Sequence, residues 1–306
     1  MAKKWLLGIV LCLGLLSACA TNDASNDSAE IQVVTTIAQI ADVVENVGGN
    51  LVEVQSLMGP GVDPHLYNAV QGDIETLESA EIIFYNGLHL EGQMDEIFEQ
   101  MQNQKPTIAV AEQIDSAKLL ADPENEQVYD PHVWFDISIW KDVVQVVADE
   151  LSSLDPDHET HFQDNAQTYL EELTETERYV EEQINEIPER SRVLVTAHDA
   201  FHYFGKRYGF DVVGLQGLST ESDYSVHDVN HIVDILIDRD VKGVFVESSV
   251  SERSIEAVVE GAKEKGHSVE IGGELFSDAM GEEGTEEGTY IGMVKHNIDT
   301  IVDALK

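Results

Sequence analysis

The chain has 306 residues, with 17 Lys or Arg against 59 Asp or Glu and a formal net charge of −42 at pH 7. Because phosphate binding requires Lys and Arg, a surface this acidic excludes nucleic acid as a partner. The length exceeds that of most single hydrophobic cores, so two lobes are expected. The acidic residues are spread along the chain, which favours a solvated surface suited to a salty or alkaline habitat over a local site that attracts cations.

A signal peptide is predicted at the N-terminus. Lys3 and Lys4 precede an uncharged apolar run over residues 5–16. This run is too short to cross a bilayer as a helix of the mature protein. A positive start followed by a short apolar core is typical of a secretory signal, so residues 1–18 are expected to be removed on export.

The signal ends in a lipidation motif, Leu-Ser-Ala-Cys, which resembles the lipobox of bacterial lipoproteins. The resemblance implies cleavage before Cys19 and a lipid on that cysteine, with the small, polar stretch 19–30 as a flexible tether. An ordinary signal peptide cleaved after Ala18 or Ala20 is the alternative. The other cysteine, Cys12, lies inside the signal, so the mature globular part has no disulfide, no thiolate metal ligand and no cysteine nucleophile.

From residue 31 onward, short β-branched runs alternate with amphipathic helical stretches. The strand runs are 31–36, 51–57, 81–87, 106–110, 192–197, 210–216, 241–248 and 267–273. The clearest helical stretches are 38–48, 91–102, 224–239, 252–265 and 284–305. Strand–helix alternation predicts parallel sheets with crossover helices, so the expected fold class is α/β. The series occurs twice, so each lobe, 31–154 and 189–306, is expected to hold a parallel four-stranded sheet with flanking helices.

Between the two lobes, residues 155–188 predict one long helix. Apolar residues recur at three- and four-residue steps from Phe162 to Ile187, no Gly or Pro interrupts the pattern, and Pro188 marks its end. At about 1.5 Å per residue, roughly 30 residues give a rod of roughly 45 Å, long enough to run along both lobes. Such a helix is expected to limit hinge motion between them.

Two Asp-Pro-His tripeptides point to a functional site in the first lobe. His65 lies in Val-Asp-Pro-His-Leu-Tyr and His132 in Asp-Pro-His-Val-Trp-Phe-Asp. The proline fixes its own φ and favours extended geometry in the Asp before it, so the His leaves the backbone in a defined direction. Each histidine follows a predicted strand, and ligands of open α/β sheets bind beyond the carboxyl ends of strands.

Two polar residues follow predicted strands of the second lobe, His198 in Thr-Ala-His-Asp-Ala-Phe and Asp278 in Leu-Phe-Ser-Asp-Ala-Met. Closing the lobes would bring them to His65 and His132. Three imidazoles and one carboxylate form a borderline-hard donor set suited to Zn²⁺, Mn²⁺ or Fe²⁺. With neutral imidazoles, the carboxylate leaves a divalent ion with a net charge of about +1, which costs far less to bury than the bare ion.

These motifs, together with the long helix and the stretches 219–225 and 275–302, resemble the manganese/zinc solute-binding lipoproteins of bacterial metal ABC transporters (TroA-like or MntA-like receptors). The likeness covers nearly the whole chain. It implies a receptor without enzymatic activity that captures a divalent transition metal with high affinity and delivers it to the permease and ATPase of an ABC importer. It implies metal ligation by a set of four side chains, His65, His132, His198 and Asp278.

The same resemblance implies a monomer held by its lipid anchor on the outer face of the bacterial cytoplasmic membrane. Mn²⁺ is the expected cargo and Zn²⁺ the alternative. Zinc-importing members often carry a His/Asp-rich loop between the first two ligands, whereas residues 114–129 contain no His. The last fifty residues or so also resemble manganese-type members more closely. Most N/O sites bind Zn²⁺ more tightly than Mn²⁺, so manganese binding would depend on coordination number, with Asp278 bidentate, or on metal supply.

Two other functions compete with this interpretation. His198 and His202 in His-Asp-Ala-Phe-His faintly resemble the His-Glu-x-x-His motif of an exported zinc metallopeptidase. However, His198 follows a strand instead of lying within a helix, and Asp199 is a methylene shorter than the glutamate base. A surface adhesin is the other alternative, although nothing in the sequence resembles a dedicated adhesive module.

Ligating imidazoles usually donate their second N–H to a carboxylate or a carbonyl. Aspartates close to the candidate ligands in sequence are the candidates for this role: Asp63, Asp130, Asp136 and Asp199.

Overall fold

The computed structural model describes residues 30–122, 125 and 127–306. The predicted signal peptide, Cys19 and nearly all of the tether lie outside these residues. Within the described part of the chain, no helix combines the length and the apolar character needed to cross a bilayer.

The first half of the chain builds one parallel sheet. Its strands are β1 (Ile31–Thr35), β2 (Val52–Ser56), β3 (Ile82–Tyr85) and β4 (Thr107–Ala109). They lie in the order β2-β1-β3-β4, and all three neighbouring pairs are parallel. Every residue of β3 is buried, as expected for an apolar strand covered by helices on both faces. The helices of this half are α1 (Ala38–Gly48), α2 (Gln71–Ser79), α3 (Asp95–Gln102) and α4 (Ile137–Leu154).

The second half contains four strands where a parallel four-stranded sheet was predicted, and they form two parallel two-stranded sheets: β5 (Val193–His198), β6 (Asp211–Gln216), β7 (Gly243–Glu247) and β8 (Glu270–Leu275). They are hydrogen-bonded as two pairs, β5 with β6 and β7 with β8, and β5 lies beside β7. At the carboxyl end of β5, the main-chain N–H of His198 donates to the side chain of Glu247, at 2.9 Å. The side chain of Glu247, the last residue of β7, thus provides a hydrogen bond between β5 and β7. The helices of this half are α6 (His202–Tyr208), α7 (Val226–Asp238), α8 (Arg253–Glu264) and α9 (Tyr290–Leu305).

A single long helix, α5 (Glu159–Ile184), joins the two halves. Its 26 residues give a length of about 39 Å. It is shorter than the predicted stretch because Pro156 begins a separate 3₁₀ turn and because the residue before Pro188 is disfavoured in helical geometry. Helix α5 packs against α1 and α4 of the first half and against α9 of the second.

The hydrophobic core is continuous between the halves. One cluster of buried side chains covers the first sheet, α4 and α5 and extends into α6 and α9, whereas a second fills the space among β5–β8, α7 and α8. Phe135 of the first half and Phe201 of the second lie with their ring centroids 4.2 Å apart. Because separating the halves would expose this apolar surface, the fold restricts wide hinge opening.

Candidate metal centre

The four side chains expected to act as ligands meet in one buried cluster at the boundary of the two halves. His65, His132, His198 and Asp278 each place one potential ligand atom within 4.8 Å of all the others. None of the four residues is more than 3% exposed. The Nε2 atoms of His65 and His132 are 3.3 Å apart, and ligand atoms around a tetrahedral ion at about 2.1 Å lie about 3.4 Å from one another. The cluster therefore has the dimensions of a metal site.

Both carboxylate oxygens of Asp278 face the imidazole nitrogens. Oδ1 lies 3.4 Å from Nε2 of His132, and Oδ2 lies 3.3 Å from Nε2 of His198 and 3.9 Å from Nε2 of His65. The cluster thus offers three nitrogen and two oxygen atoms from the protein.

The repeated Asp-Pro-His tripeptide forms the same turn at both places. The carboxylate of Asp63 accepts the main-chain N–H of His65 at 2.9 Å, and that of Asp130 accepts the main-chain N–H of His132 at 2.9 Å. An Asp side chain that bonds the backbone two residues on makes an Asx-type turn. The motif therefore fixes the direction in which each histidine leaves the chain.

His132 is oriented further by the same aspartate, because Nδ1 of its ring lies 2.8 Å from Oδ1 of Asp130. This contact leaves Nε2 directed at the cluster. Burial alone raises the pKa of the Asp130 carboxyl, but the adjoining His132 imidazole outweighs it and the pKa lies below the usual value. Asp130 is therefore a carboxylate although it is fully buried.

His198 is oriented by a residue that sequence reasoning missed. Its Nδ1 lies 2.6 Å from Oε2 of Glu247, the last residue of β7, which is 2% exposed. Burial lowers the pKa of His198, but the carboxylates of Glu247 and Asp278 outweigh this effect and hold the pKa well above the ordinary value. In the protein without metal, His198 therefore carries a proton at neutral pH.

The other two ligand candidates are in the protonation states that coordination needs. Burial and the neighbouring imidazoles lower the pKa of His65 to about 3, so its ring is neutral at physiological pH. Burial raises the pKa of Asp278, but the three imidazoles outweigh it and keep this carboxyl ionised. A divalent ion with the three neutral imidazoles and Asp278 would carry a net charge of about +1, as expected. Two further buried carboxylates, Asp130 and Glu247, lie next to this set and bring the charge of the larger group to about −1.

The other three aspartates that were candidates to orient an imidazole make different hydrogen bonds. Oδ2 of Asp63 accepts the hydroxyl of Thr220 at 2.6 Å, a bond between the halves. The side chain of Asp136 accepts the main-chain N–H of Ser138 at 2.9 Å and so caps the N-terminus of α4. Asp199 accepts the main-chain N–H of Gly214. Of the four aspartates, Asp130 is the one in contact with an imidazole of the cluster.

His202 lies outside the cluster. Its Nδ1 is 3.5 Å from Oδ2 of Asp130, and its Nε2 is 3.6 Å from Oδ1 of Asp199. Because His198 ends strand β5 and His202 begins helix α6, the two histidines do not share a helix face. The paired arrangement on which the metallopeptidase alternative depends is therefore not formed.

Residues 33–304 match the family described as ZnuA, zinc-uptake complex component A, periplasmic. The chain belongs to this family. Among its relatives, it is 52% identical over 307 residues to the manganese-binding lipoprotein MntA of Bacillus subtilis, with 100% of both chains covered. It is 46% identical over 309 residues to the zinc-binding protein TroA of Treponema pallidum, covering 100% of this chain and 99% of the relative.

The fold agrees with this membership of the ZnuA family. The solved structure of the periplasmic zinc-binding protein TroA from Treponema pallidum superposes with a TM-score of 0.88 at 47% identity. The match covers 90% of this chain and 99% of the other. The two-lobed α/β architecture with one long connecting helix is thus the architecture of a solved relative.

Proposed function

We propose that this protein is the metal receptor of an ABC importer. It captures a divalent transition metal ion outside the cell with high affinity and delivers the ion to the permease, which the importer's ATPase drives, and it catalyses no reaction. The observation that carries the proposal is the buried cluster of three imidazoles and one carboxylate, to which each half of the chain contributes two residues. The close relatives named as manganese-binding and zinc-binding proteins support it.

The metal ligands are Nε2 of His65, His132 and His198 and the carboxylate of Asp278. The carboxylates of Asp130 and Glu247 contact Nδ1 of His132 and of His198, respectively. Each contact directs Nε2 of the ring at the ion and increases the basicity of the imidazole. The ion replaces the proton of His198 and so compensates the buried carboxylates. Release to the permease then requires these ligands to move apart, which the shared hydrophobic core limits to small shifts of the halves or of the ligand loops.

The proposed cargo is Mn²⁺, with Zn²⁺ as the alternative. Four ligands close a tetrahedral zinc site, whereas both oxygens of Asp278 face the ring nitrogens here and give five protein donors. A higher coordination number suits Mn²⁺, which prefers oxygen-containing, more highly coordinated sites. The relative with 52% identity is named as manganese-binding.

The proposed setting is the outer face of the cytoplasmic membrane. Residues 1–18 are removed, Cys19 carries the lipid, and 19–30 tether a monomer made of lobes 31–154 and 189–306, with 155–188 between them. Relatives named as metal ABC transporter substrate-binding lipoproteins support this setting. Replacing Cys19 by Ala should release the protein into the medium and abolish incorporation of labelled fatty acid.

Elemental analysis of protein purified from its own host, followed by competitive Mn²⁺/Zn²⁺ titration, tests the proposal. One Mn²⁺ per chain is expected, and it should be lost in a His132→Ala variant but kept in a His202→Gln variant. Growth of an importer-deficient strain should be rescued by Mn²⁺ but not by Zn²⁺. Rescue by Zn²⁺ alone would assign the site to zinc, and wild-type protein that binds neither ion would remove the proposal.

A further inference from the structure

Gln39 of helix α1 is fully buried against the segment that carries Asp278. Its side-chain Nε2 donates to the main-chain carbonyl of Asp278 at 3.0 Å and lies 3.4 Å from the carbonyl of Ser277. Nε1 of Trp134, also buried, donates to the same Ser277 carbonyl at 3.1 Å. Two side chains of the first half therefore hold the main chain of a metal ligand that belongs to the second half.

The same segment is also held by its own half. The hydroxyl of Ser248 donates to the carbonyl of Ala279 at 3.0 Å, and the side chain of Asn297 bonds both the N–H and the carbonyl of Phe276. Residues 276–279 are thus fixed from both sides of the boundary. If the halves move apart, either the bonds from Gln39 and Trp134 to this segment break or the segment leaves its own half.

The amide of Gln39 has a fixed orientation, because carbonyl oxygens accept only from its nitrogen. Its Oε1 is left buried and has no hydrogen-bond partner among the described residues. A buried acceptor without a partner destabilises the folded state, and an apolar side chain of the same length would avoid that penalty. The unpartnered oxygen therefore offsets part of what the bonds from Nε2 contribute to the stability of the fold.

We propose that Gln39 is a positioning residue for the metal-binding carboxylate. By holding the carbonyl of Asp278 from the opposite half, it fixes the direction in which both carboxylate oxygens are presented and resists separation of the halves. It thereby sets the rate at which the ion leaves. This inference rests on the proposed function, and it names a residue that acts on the ion only through Asp278.

The variant Gln39→Met tests the inference, since methionine has a similar length but neither the N–H donor nor the unpartnered oxygen. Mn²⁺ dissociation, followed by stopped flow into excess chelator, should become about tenfold faster, the effect of losing one hydrogen bond that supports the bound state. The melting temperature of the metal-free variant should stay within about 3 °C of wild type, because one unfavourable buried group is removed together with the bond.

Asn165→Leu is the matched control. In the wild type, the side-chain nitrogen of Asn165 also donates to a main-chain carbonyl, that of Val47, at 3.0 Å. Asn165 lies on α5 and contacts none of the proposed ligands. This control should lower the melting temperature without changing the dissociation rate. A Gln39→Met protein that releases Mn²⁺ at the wild-type rate would overturn the inference. So would a faster release matched by an equal loss of stability in the metal-free protein, since that pattern indicates a structural role.

Trp134→Phe provides a second, independent variant. It keeps an aromatic ring beside His132 but removes the N–H that bonds the Ser277 carbonyl. A smaller acceleration, about threefold, is expected because the bond to Asp278 itself remains. If Gln39→Met does not fold, an unchanged rate in folded Trp134→Phe overturns the inference. Failure of wild-type protein to bind Mn²⁺ or Zn²⁺ would instead remove the proposed function.

Discussion

Nδ1 of His198 and Oε2 of Glu247 lie 2.6 Å apart at the carboxyl ends of two neighbouring strands. This contact directs Nε2 of His198 at the cluster and places a second buried carboxylate next to the candidate ligands. The Glu247→Gln variant keeps the size of the side chain but removes its charge. We expect it to weaken Mn²⁺ binding by about 10- to 100-fold, the usual effect of losing a carboxylate that supports a ligand imidazole.

Competitive titration against a chelator of known affinity measures this change. Glu256→Gln, which removes the charge of an exposed glutamate on α8, is the matched control and should leave affinity unchanged. Wild-type affinity in Glu247→Gln would mean that the charge of Glu247 does not support metal binding.

The Asp130 carboxylate orients the His132 ring through Nδ1, as Glu247 orients His198, and it also accepts the main-chain N–H of His132 in the preceding turn. Replacing it by Asn should keep the turn, because an amide oxygen also accepts the main-chain N–H, but the charge beside the imidazole is lost. A decrease of tenfold or more in Mn²⁺ affinity is expected.

Asp136→Ala serves as the control for this prediction. It removes the cap of α4 at a cost of about 1 kcal/mol in the free energy of unfolding, and metal affinity should be unaffected. Equal effects of the two variants on affinity would contradict the assignment of Asp130.

Binding should release a proton. The metal-free protein carries a proton on His198 at pH 7 because the pKa is raised well above 6.5, whereas His65, with a pKa of about 3, is already neutral. A metal ion must displace the His198 proton, so affinity falls as the pH falls and rises about tenfold per pH unit until the raised pKa is passed.

Calorimetric titration at pH 7 in buffers of different ionisation enthalpy counts the proton directly, and about one per Mn²⁺ is expected. In Glu247→Gln, the carboxylate that contributes most to raising the pKa is gone, so the count should decrease. A count of zero in the wild type would contradict the charged state inferred for His198.

The candidate ligands were accessible to sequence reasoning because each carries a local signal. Asp-Pro-His encodes a turn within three residues, and His198 and Asp278 lie at or just beyond the ends of apolar strand runs. Glu247 carries no such signal, since it is simply the last residue of a strand. Its role depends on β7 lying beside β5, and the order of strands in a sheet is set by long-range packing that one sequence does not specify.

Three helices in the described part of the chain have weaker sequence signals than the others, for different physical reasons. Helix α4 is rich in Val and Ile, which favour strands as much as helices. Helix α2 buries only Leu77, so its apolar periodicity is weak. Helix α6 has seven residues and contains Gly205, where a Cβ atom would lie 2.6 Å from a Cγ of Val212; glycine is needed there for close packing on β6. Tertiary contacts, more than local propensity, stabilise these elements.

Metal removal should destabilise the protein, since the ligands come from both halves and the ion binds only the folded chain. At a free Mn²⁺ concentration 100 times the dissociation constant, the ion contributes about 2.7 kcal/mol to the free energy of unfolding. For a chain of this size, chelation should therefore lower the melting temperature by roughly 4–5 °C. Asp278→Asn, which removes the ligand charge, should abolish most of this difference, whereas Asp303→Asn, an exposed position on α9, should preserve it. A full metal-dependent shift in Asp278→Asn would show that the ion binds elsewhere, because a neutral amide at position 278 lacks the charge with which the carboxylate binds a cation.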